Sequence, residues 1–386
     1  MENLYIFIGS YLGEKAYHRL RNLYFKKNIS VSNSEYERVL FNEFSKTENC
    51  LFISAPSVGR YPVSCKRAYY KKSICEGKIT DCSFLTIIGV NNFSKSCALK
   101  LALKKQISKY KDKKIFVIAC EAHKPYLSAL KVAKRNGCST MLIVPDSPAS
   151  MSFSNSFLYK FLKKYDVRSI KKMSEKYSDC FLYFTDEIRK DFSNEKQYII
   201  REGILSDITL MEDSKKKNKC VYIGKTDIRN GINYIIQSAM RLPDFSFDIY
   251  GSGDYDEVLK TINIRNIKFY GFINPNAIDS ILKKADILLS PRTNDVSYTG
   301  LSFPSKILKY LSYSKPVVTF KLPCYNQNFD SVLVYPSEES IDSFVSAIKK
   351  ASGISNMDCY VNIVNKLSYL KANKIVEDIK KLFDRQ

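Results

Sequence analysis

The residues best placed for chemistry follow short apolar runs in the second half of the chain. Lys219–Ile223 leads into Gly224, Lys225, Thr226 and Asp227; Ser246–Tyr250 leads into Gly251, Ser252 and Gly253. Asp286–Ser290 leads into Pro291 and Arg292. Beyond it, Ser302, Phe303, Pro304, Ser305 and Lys306 open a run of helical period in which Pro304 suits the first turn. Glycine after a strand lets backbone approach an anion, and a helix N-terminus offers unbonded N–H groups at a positive dipole end. With Lys225, Arg292 and Lys306, three cations are expected at one sheet edge. A diphosphate is the guest that suits them. The glycine-rich dinucleotide fingerprint and the P-loop are both absent.

The elements that must position these residues alternate along the chain. Strands are expected at Leu4–Ile8, Cys50–Ser54, Phe84–Val90, Lys114–Cys120, Thr140–Val144, Cys180–Phe184 and Gln197–Ile200. A second series covers Lys219–Ile223, Ser246–Tyr250, Asn266–Tyr270, Asp286–Ser290, Pro316–Phe320 and Ser331–Tyr335. Helices are expected near 34–46, 95–111, 124–136, 155–177, 230–241, 275–284, 304–313, 338–352 and 360–383. Apolar strands alternating with helices imply parallel sheets covered on both faces. The polar run Met211–Lys219 reads as an interdomain linker. The expected fold is α/β: two doubly wound, Rossmann-like domains, 1–205 and 206–371, facing a central cleft, with a last helix (about 372–386) packing back on the first. Ligands in such sheets sit beyond the carboxyl ends of the strands.

With 386 residues and 45 % apolar content the chain can bury a large core. Eleven scattered cysteines without a CxxC pair fit reduced thiols. No apolar run reaches the ~18 residues of a membrane span, and the N-terminus lacks a signal-peptide pattern. A disulfide scaffold, a zinc ribbon and an integral membrane protein are therefore not expected. The net charge is +22, and it is uneven: residues 1–200 hold 35 Lys and Arg against 18 Asp and Glu.

The order of the motifs carries a resemblance. Cys220–Ile236 (CVYIGKTDIRNGINYII), then FDIYGSGDYDEVL, NIKFYGFI, ADILLSPR and SFPSKILKYLSYSKPVVTF, resembles the donor-binding domain of family 4 glycosyltransferases, of the type that carries Phe-Pro-Ser-Lys. The match spans roughly 219–320; the first half is similar more loosely, through Ile53–Pro56, Cys120–Ala129 and Ile143–Pro148. The resemblance implies a GT-B fold and retaining, hexosyltransferase-type transfer from a UDP- or GDP-linked sugar to a glycan or lipid-linked acceptor, as in bacterial surface polysaccharide synthesis. The second half would bind the donor and the first the acceptor. The loop at Gly224 and the helix opening at Phe303–Lys306 would hold the diphosphate, with no metal or other cofactor required. Three positions depart from the family: Lys309 and Leu301 stand where relatives carry glutamates, and Asn230 where relatives carry a basic residue. A lysine donates only, so Lys309 cannot accept bonds from ribose hydroxyls as a glutamate would. These departures motivate an alternative, a catalytically inactive GT-B partner or adaptor.

Asp254-Tyr255-Asp256 has metal-pair spacing, but it follows a glycine turn at a helix start, where carboxylates complement the dipole. In the first half, His123 follows the strand Lys114–Cys120. It is either a site residue facing the donor sugar, as a polar residue does in relatives, or an ordinary helix-start residue; Glu121 is beside it. Asp146, after the next strand, is either an acceptor-side residue or a cap. Gly9 and Gly13 follow the first strand, where the family keeps an acceptor-side loop. His18 reads as a surface residue. The run 151–177 has Phe157, Leu158, Phe161 and Leu162 at helical spacing among lysines, as an interfacial helix on anionic lipid would. A core-facing helix with a solvated lysine face fits equally. The basic first half suits a cytoplasmic, peripheral location on the inner face of the plasma membrane. No nucleic-acid reading module is present, so nucleic acid is not an expected partner.

Overall fold

The computed structural model describes residues 2–13, 20, 23–24, 32–72, 77–149, 157–192, 196–213, 218–274, 277–294 and 299–385. The chain divides into two compact units, Met1–Ile204 with Ala372–Gln386, and Leu205–Lys371.

The first unit follows from aromatic, β-branched strands that are buried nearly end to end. In chain order its elements are β1 (Asn3–Gly9), α1 (Ser32–Thr47), β2 (Asn49–Ser54), β3 (Tyr69–Tyr70), β4 (Ile79–Asp81), β5 (Phe84–Leu85), α2 (Asn91–Lys109), β6 (Lys114–Ala119), α3 (Lys124–Arg135), β7 (Ser139–Val144), α4 (Phe157–Tyr177), β8 (Cys180–Tyr183), α5 (Asp186–Lys190) and β9 (Gln197–Ile200). Seven strands form a parallel sheet in the order β4-β2-β1-β6-β7-β8-β9. The order reverses between β1 and β6, so a crevice opens where the loops after those two strands diverge. Phe7, Phe41, Phe44 and Phe52 pack edge-on and stacked beneath them.

The second unit holds β10 (Lys219–Ile223), α6 (Ile232–Arg241), β11 (Ser246–Tyr250), α7 (Asp256–Thr261), β12 (Ile267–Gly271), α8 (Ile278–Lys283), β13 (Ile287–Ser290), α9 (Lys306–Leu311), β14 (Val317–Thr319), α10 (Ile341–Ser352) and α11 (Asn356–Leu367). Its five parallel strands run β12-β11-β10-β13-β14, with the reversal between β10 and β13. Both units are doubly wound α/β structures of Rossmann type. The last helix, α12 (Ala372–Asp384), belongs to the first unit: Phe383 meets Phe116 at 4.8 Å and Tyr5 at 6.2 Å between ring centroids. Ion pairs Lys380–Glu48 and Arg201–Asp378 flank it.

Several expectations are corrected. Met211–Lys219 is not an interdomain linker, because the second unit already begins at Leu205. Asp213 accepts from Asn356 N–H, as Thr209 N–H just before the run donates to the Ser312 carbonyl, so the described start of the run is held to that unit; residues 214–217 are outside the description. Phe84–Val90 is not a core strand; only Phe84–Leu85 is extended, paired antiparallel with β3, and the short β4 takes the sheet edge instead. Ser331–Tyr335 contributes a single bridge, Val318 to Val334, after a 3-10 turn at Gln327–Ser331. The expected helix 360–383 is two helices separated by a 3-10 turn at Ser368–Leu370, and 304–313 shortens to α9. The short helices α5 and, apart from its start, α7 had gone unread. Among the described residues the cysteines are free thiols, and no helix is long and apolar enough to cross a membrane.

Phe383→Ala should cost about 3–5 kcal/mol, the usual range for deleting a buried aromatic ring. Urea unfolding followed at β1 and β6 would measure it; an unchanged midpoint would mean that α12 does not complete the first core.

Candidate functional site

In the second unit the loops after β10, β11 and β13 pack on one another at the point where strand order reverses. Gly251 adopts φ +134°, and a Cβ there would lie 1.7 Å from the Gly224 carbonyl oxygen. The first demand on this glycine is thus the contact between two loops. A Cβ on Gly253 would meet the Thr226 carbonyl at 2.7 Å. Thr226 is fully buried, and its hydroxyl donates to Asp256, which also accepts from Gly253 N–H at 2.8 Å. The sequence placed Thr226 on the donor; here its side chain is consumed in holding the Gly251–Gly253 turn to α7. Asp256 has the same duty, and no metal-binding cluster is found among the described residues. Ser252 is exposed at the tip of the turn.

Lys306, the first residue of α9, crosses back over this platform. Its ammonium stands 4.5 Å from the centroid of the Tyr222 ring. A Cβ on Gly224 would lie 3.3 Å from Lys306 Nζ and 2.9 Å from the Tyr222 hydroxyl. Burial, then the positive charge of Arg292, pull the Lys306 pKa down to about 7, against the opposing field of Asp227. Lys306, Arg292 and the Gly224 loop therefore form one cluster, as the spacing implied. Lys225 is exposed, and its carbonyl accepts the Tyr222 hydroxyl at 2.6 Å.

Other expected donor residues hold the scaffold. Phe303 is buried against Tyr325 and Phe329, with ring centroids 5.7 and 5.5 Å away, and Pro304 is buried beside it. Their side chains belong to the core. Ser305 is exposed and its hydroxyl caps nothing; Ser302 is half-buried. Lys309 Nζ pairs with Asp279 on α8 at 2.7 Å. Asn230 donates to Asp227 through its backbone and side-chain nitrogens at 2.9 and 2.7 Å, closing a 3-10 turn. Sequence reasoning missed Tyr222 and Tyr310. The Tyr310 hydroxyl accepts from Ile223 N–H at 2.9 Å and ties α9 to the end of β10. A tyrosine at the fifth residue of α9 was the available signal.

The first unit gathers a second cluster at its own reversal point. Glu37 on α1 is fully buried, and its carboxylate accepts from Ser10 N–H at 2.8 Å and Tyr11 N–H at 2.6 Å. A Cβ on Gly9 would fall 2.8 Å from it, so Gly9 admits the carboxylate. Burial, then the charge of Glu121, hold the Glu37 pKa well above the usual carboxylate range. Tyr36 donates to the Cys120 carbonyl, under the negative fields of Glu37, Glu121 and Asp146. Lys95 is buried, donates to the Pro56 carbonyl at 2.8 Å and lies over the Phe84 ring; burial draws its pKa to about 8. His123 is the N-cap of α3 but makes no side-chain cap bond. Burial first, then Lys95, lower its pKa to about 4, so the imidazole is neutral at pH 7. Asp146 is half-buried after β7, and Gly13 is buried just before residues 14–19, which are outside the description. His18 falls among those residues. Glu37 and Lys95 were missed, although each interrupts an apolar stripe: Glu37 with Leu40, Phe41 and Phe44, Lys95 with Leu99 and Leu103.

Comparison with known proteins now places the fold. Residues 217–352 match the family model described as Glycosyl transferases group 1, so a domain of that group is found in the second unit. No curated protein matches the chain in sequence. Among solved structures, a sucrose-phosphate synthase from Thermosynechococcus elongatus superposes with TM-score 0.66 at 11 % identity, covering 100 % of each chain. HepE of Anabaena, in complex with UDP and glucose, gives 0.62 at 10 % identity over 99 % of this chain and 100 % of that one. The pneumococcal O-GlcNAc transferase GtfA, in complex with UDP and GlcNAc, gives 0.54 at 12 % identity over 99 % and 97 %. The fold is GT-B.

The depressed His123 pKa fixes a sign. Between pH 6.5 and about 4 the folded chain binds fewer protons at this residue than the unfolded chain, so the associated stability is present above 6.5 and lost as pH falls toward 4. His123→Gln should therefore lose less stability than the parent over that window, read from urea midpoints. Parallel losses in both proteins would contradict the buried, neutral imidazole.

Proposed function

We propose that this chain is a retaining glycosyltransferase of hexosyltransferase type. It would move a sugar from a UDP- or GDP-linked donor to a glycan or lipid-linked acceptor, as in bacterial surface polysaccharide synthesis. The observation that carries the reading is Lys306: a half-buried ammonium over an aromatic ring, beside Arg292 and above a glycine that leaves its approach open. An isolated cation so placed is costly, and a bound diphosphate would offset that cost. The group 1 domain match and neighbours solved with UDP support the same assignment.

In the proposed reaction the bond from the anomeric carbon to the diphosphate oxygen breaks. A bond from the acceptor hydroxyl oxygen forms on the same face, and the acceptor proton passes to a diphosphate oxygen. Lys306, Arg292 and Lys225 would stabilise the charge that develops on the leaving diphosphate. No carboxylate pair of glycosidase type and no metal enters this scheme. His123, neutral at pH 7, can both donate to and accept from a sugar hydroxyl. Glu37 would hold the loop after β1 on the acceptor side, with Gly9, Gly13 and Asp146 around it. The basic first unit would meet an anionic membrane on its cytoplasmic side, where a lipid-linked acceptor would be presented.

Lys309 favours a second reading. Its ion pair with Asp279 puts a cation where relatives carry a ribose-binding carboxylate, a change that a non-catalytic GT-B partner would tolerate. Calorimetric titration with UDP and GDP separates the two readings. Nucleotide binding together with sugar release supports the transferase; no heat at millimolar nucleotide supports the partner.

Two outcomes follow for the transferase. Lys306→Ala should lower kcat/KM about 10²–10³-fold, as loss of one charge-stabilising donor does; unchanged turnover removes the phosphate assignment. Because the free Lys306 has a pKa of about 7, binding an anion near about pH 8 should draw a proton onto it. Calorimetry of UDP in buffers of differing ionisation enthalpy would read that uptake, and Lys306→Met should abolish it. Equal heats in all buffers would refute the cluster as the diphosphate site.

A further inference from the structure

The segment between β2 and β6 leaves an apolar face in solvent. In the β3–β5 ribbon Tyr69 stands opposite Leu85, and Tyr61 bridges Ile87. Strand alternation sets Leu85 and Ile87 on one face, while Phe84 and Tyr70 point the other way into the core. All four outward residues are at least 37 % exposed. The face continues through Ile88 and Val90 onto α2, whose first turn is tied to the ribbon by Leu85 N–H donating to Ser94 Oγ at 2.9 Å. On α2, Phe93 and Leu101 are each 70 % exposed and lie eight residues apart, two turns along one stripe. The helix buries a different stripe, Lys95, Leu99 and Leu103.

The segment that carries this face is strongly basic. Residues 57–109 contain eleven Lys and Arg against two acidic residues, and one of the two, Asp81, is buried beneath Tyr70. Lys66, Arg67, Lys71, Lys72, Lys104 and Lys105 are all exposed. A contiguous exposed apolar patch marks an interaction surface, and a basic rim selects an anionic one. Self-association of this face would set cations against cations across a two-fold axis.

We infer that the ribbon and the outer stripe of α2 seat the protein on an anionic lipid bilayer, with Phe93 and Leu101 entering the headgroup–acyl boundary. This rests on the reading of a lipid-linked acceptor and gives it a surface, distinct from the helix at 157–177. The purpose of the arrangement is reach: an acceptor whose lipid stays in the membrane is met by a chain lying against that membrane.

The chain contains no tryptophan, so Phe93→Trp supplies a single reporter. Its emission should shift to the blue with vesicles of phosphatidylglycerol in phosphatidylcholine and stay unchanged with phosphatidylcholine alone. In co-sedimentation, Phe93→Ser with Leu101→Ser should weaken binding to the anionic vesicles about tenfold or more, since two large apolar side chains leave the bilayer. Tyr165→Ser, at a 72 % exposed apolar position on α4, should bind like the parent. The inference is overturned by an unshifted emission, by undiminished binding of the double variant, or by loss of binding in Tyr165→Ser. It is equally overturned if the parent sediments as a dimer that the double variant dissolves. No sugar is transferred in these measurements, so a chain that binds vesicles and lacks transferase activity refutes only the functional reading.

Discussion

A lysine ammonium resting on an aromatic ring, short of water, is the interaction around which the second unit is arranged. Cations prefer bulk solvent, so Lys306 can stay over Tyr222 only because the neighbouring elements over-determine its place. Tyr310 fastens α9 to the end of β10, and the Tyr222 hydroxyl fixes the loop that Lys306 overlooks. Gly251 then lets the next loop close against the first with no side chain between them. Each of these contacts is structural in itself. Together they set two cations, Lys306 and Arg292, at the strand-order reversal of a parallel sheet, where such folds take ligands.

The first unit solves the inverse problem. Its reversal point buries two carboxyl groups near one another, Glu37 and Glu121, with the Lys95 ammonium in the field of Glu121. The two backbone N–H groups offered by Ser10 and Tyr11 partly offset the cost of burying Glu37. A loop held in this way is set by a side chain from another element, one that sequence inspection passes over.

Much of the fold was legible because apolar strands and amphipathic helices announce themselves by period. Eleven of the strands in the two large sheets begin within a residue of the start that pattern gave, and of the expected cations Lys306 and Arg292 lie close enough to interact. What failed has physical causes. Ser331–Tyr335 looks like a strand, yet Val332, Leu333 and Val334 are buried after a 3-10 turn with a single bridge, which apolar content cannot distinguish. Met211–Lys219 looks like a linker because it is charged, while the bond from Asn356 N–H to Asp213, and that from Thr209 just before the run to Ser312, join residues about a hundred or more positions apart. Thr226 and Phe303 sit inside the recognisable motif, so motif reading gave them to a ligand; their hydroxyl and ring are instead taken up by Asp256 and by Tyr325 with Phe329. Glu37 and Lys95 were hidden for the opposite reason: a charged residue on an apolar stripe reads as noise until its buried partners are known.

The position of α12 has a consequence for biogenesis. The first unit needs a helix encoded after the whole of the second, whereas Leu205–Lys371 is one uninterrupted stretch. On the ribosome the later-encoded unit can therefore finish first, and the earlier one must wait with Phe116 and Tyr5 uncovered until Phe383 emerges. That waiting period is the interval in which a chaperone would have something to hold.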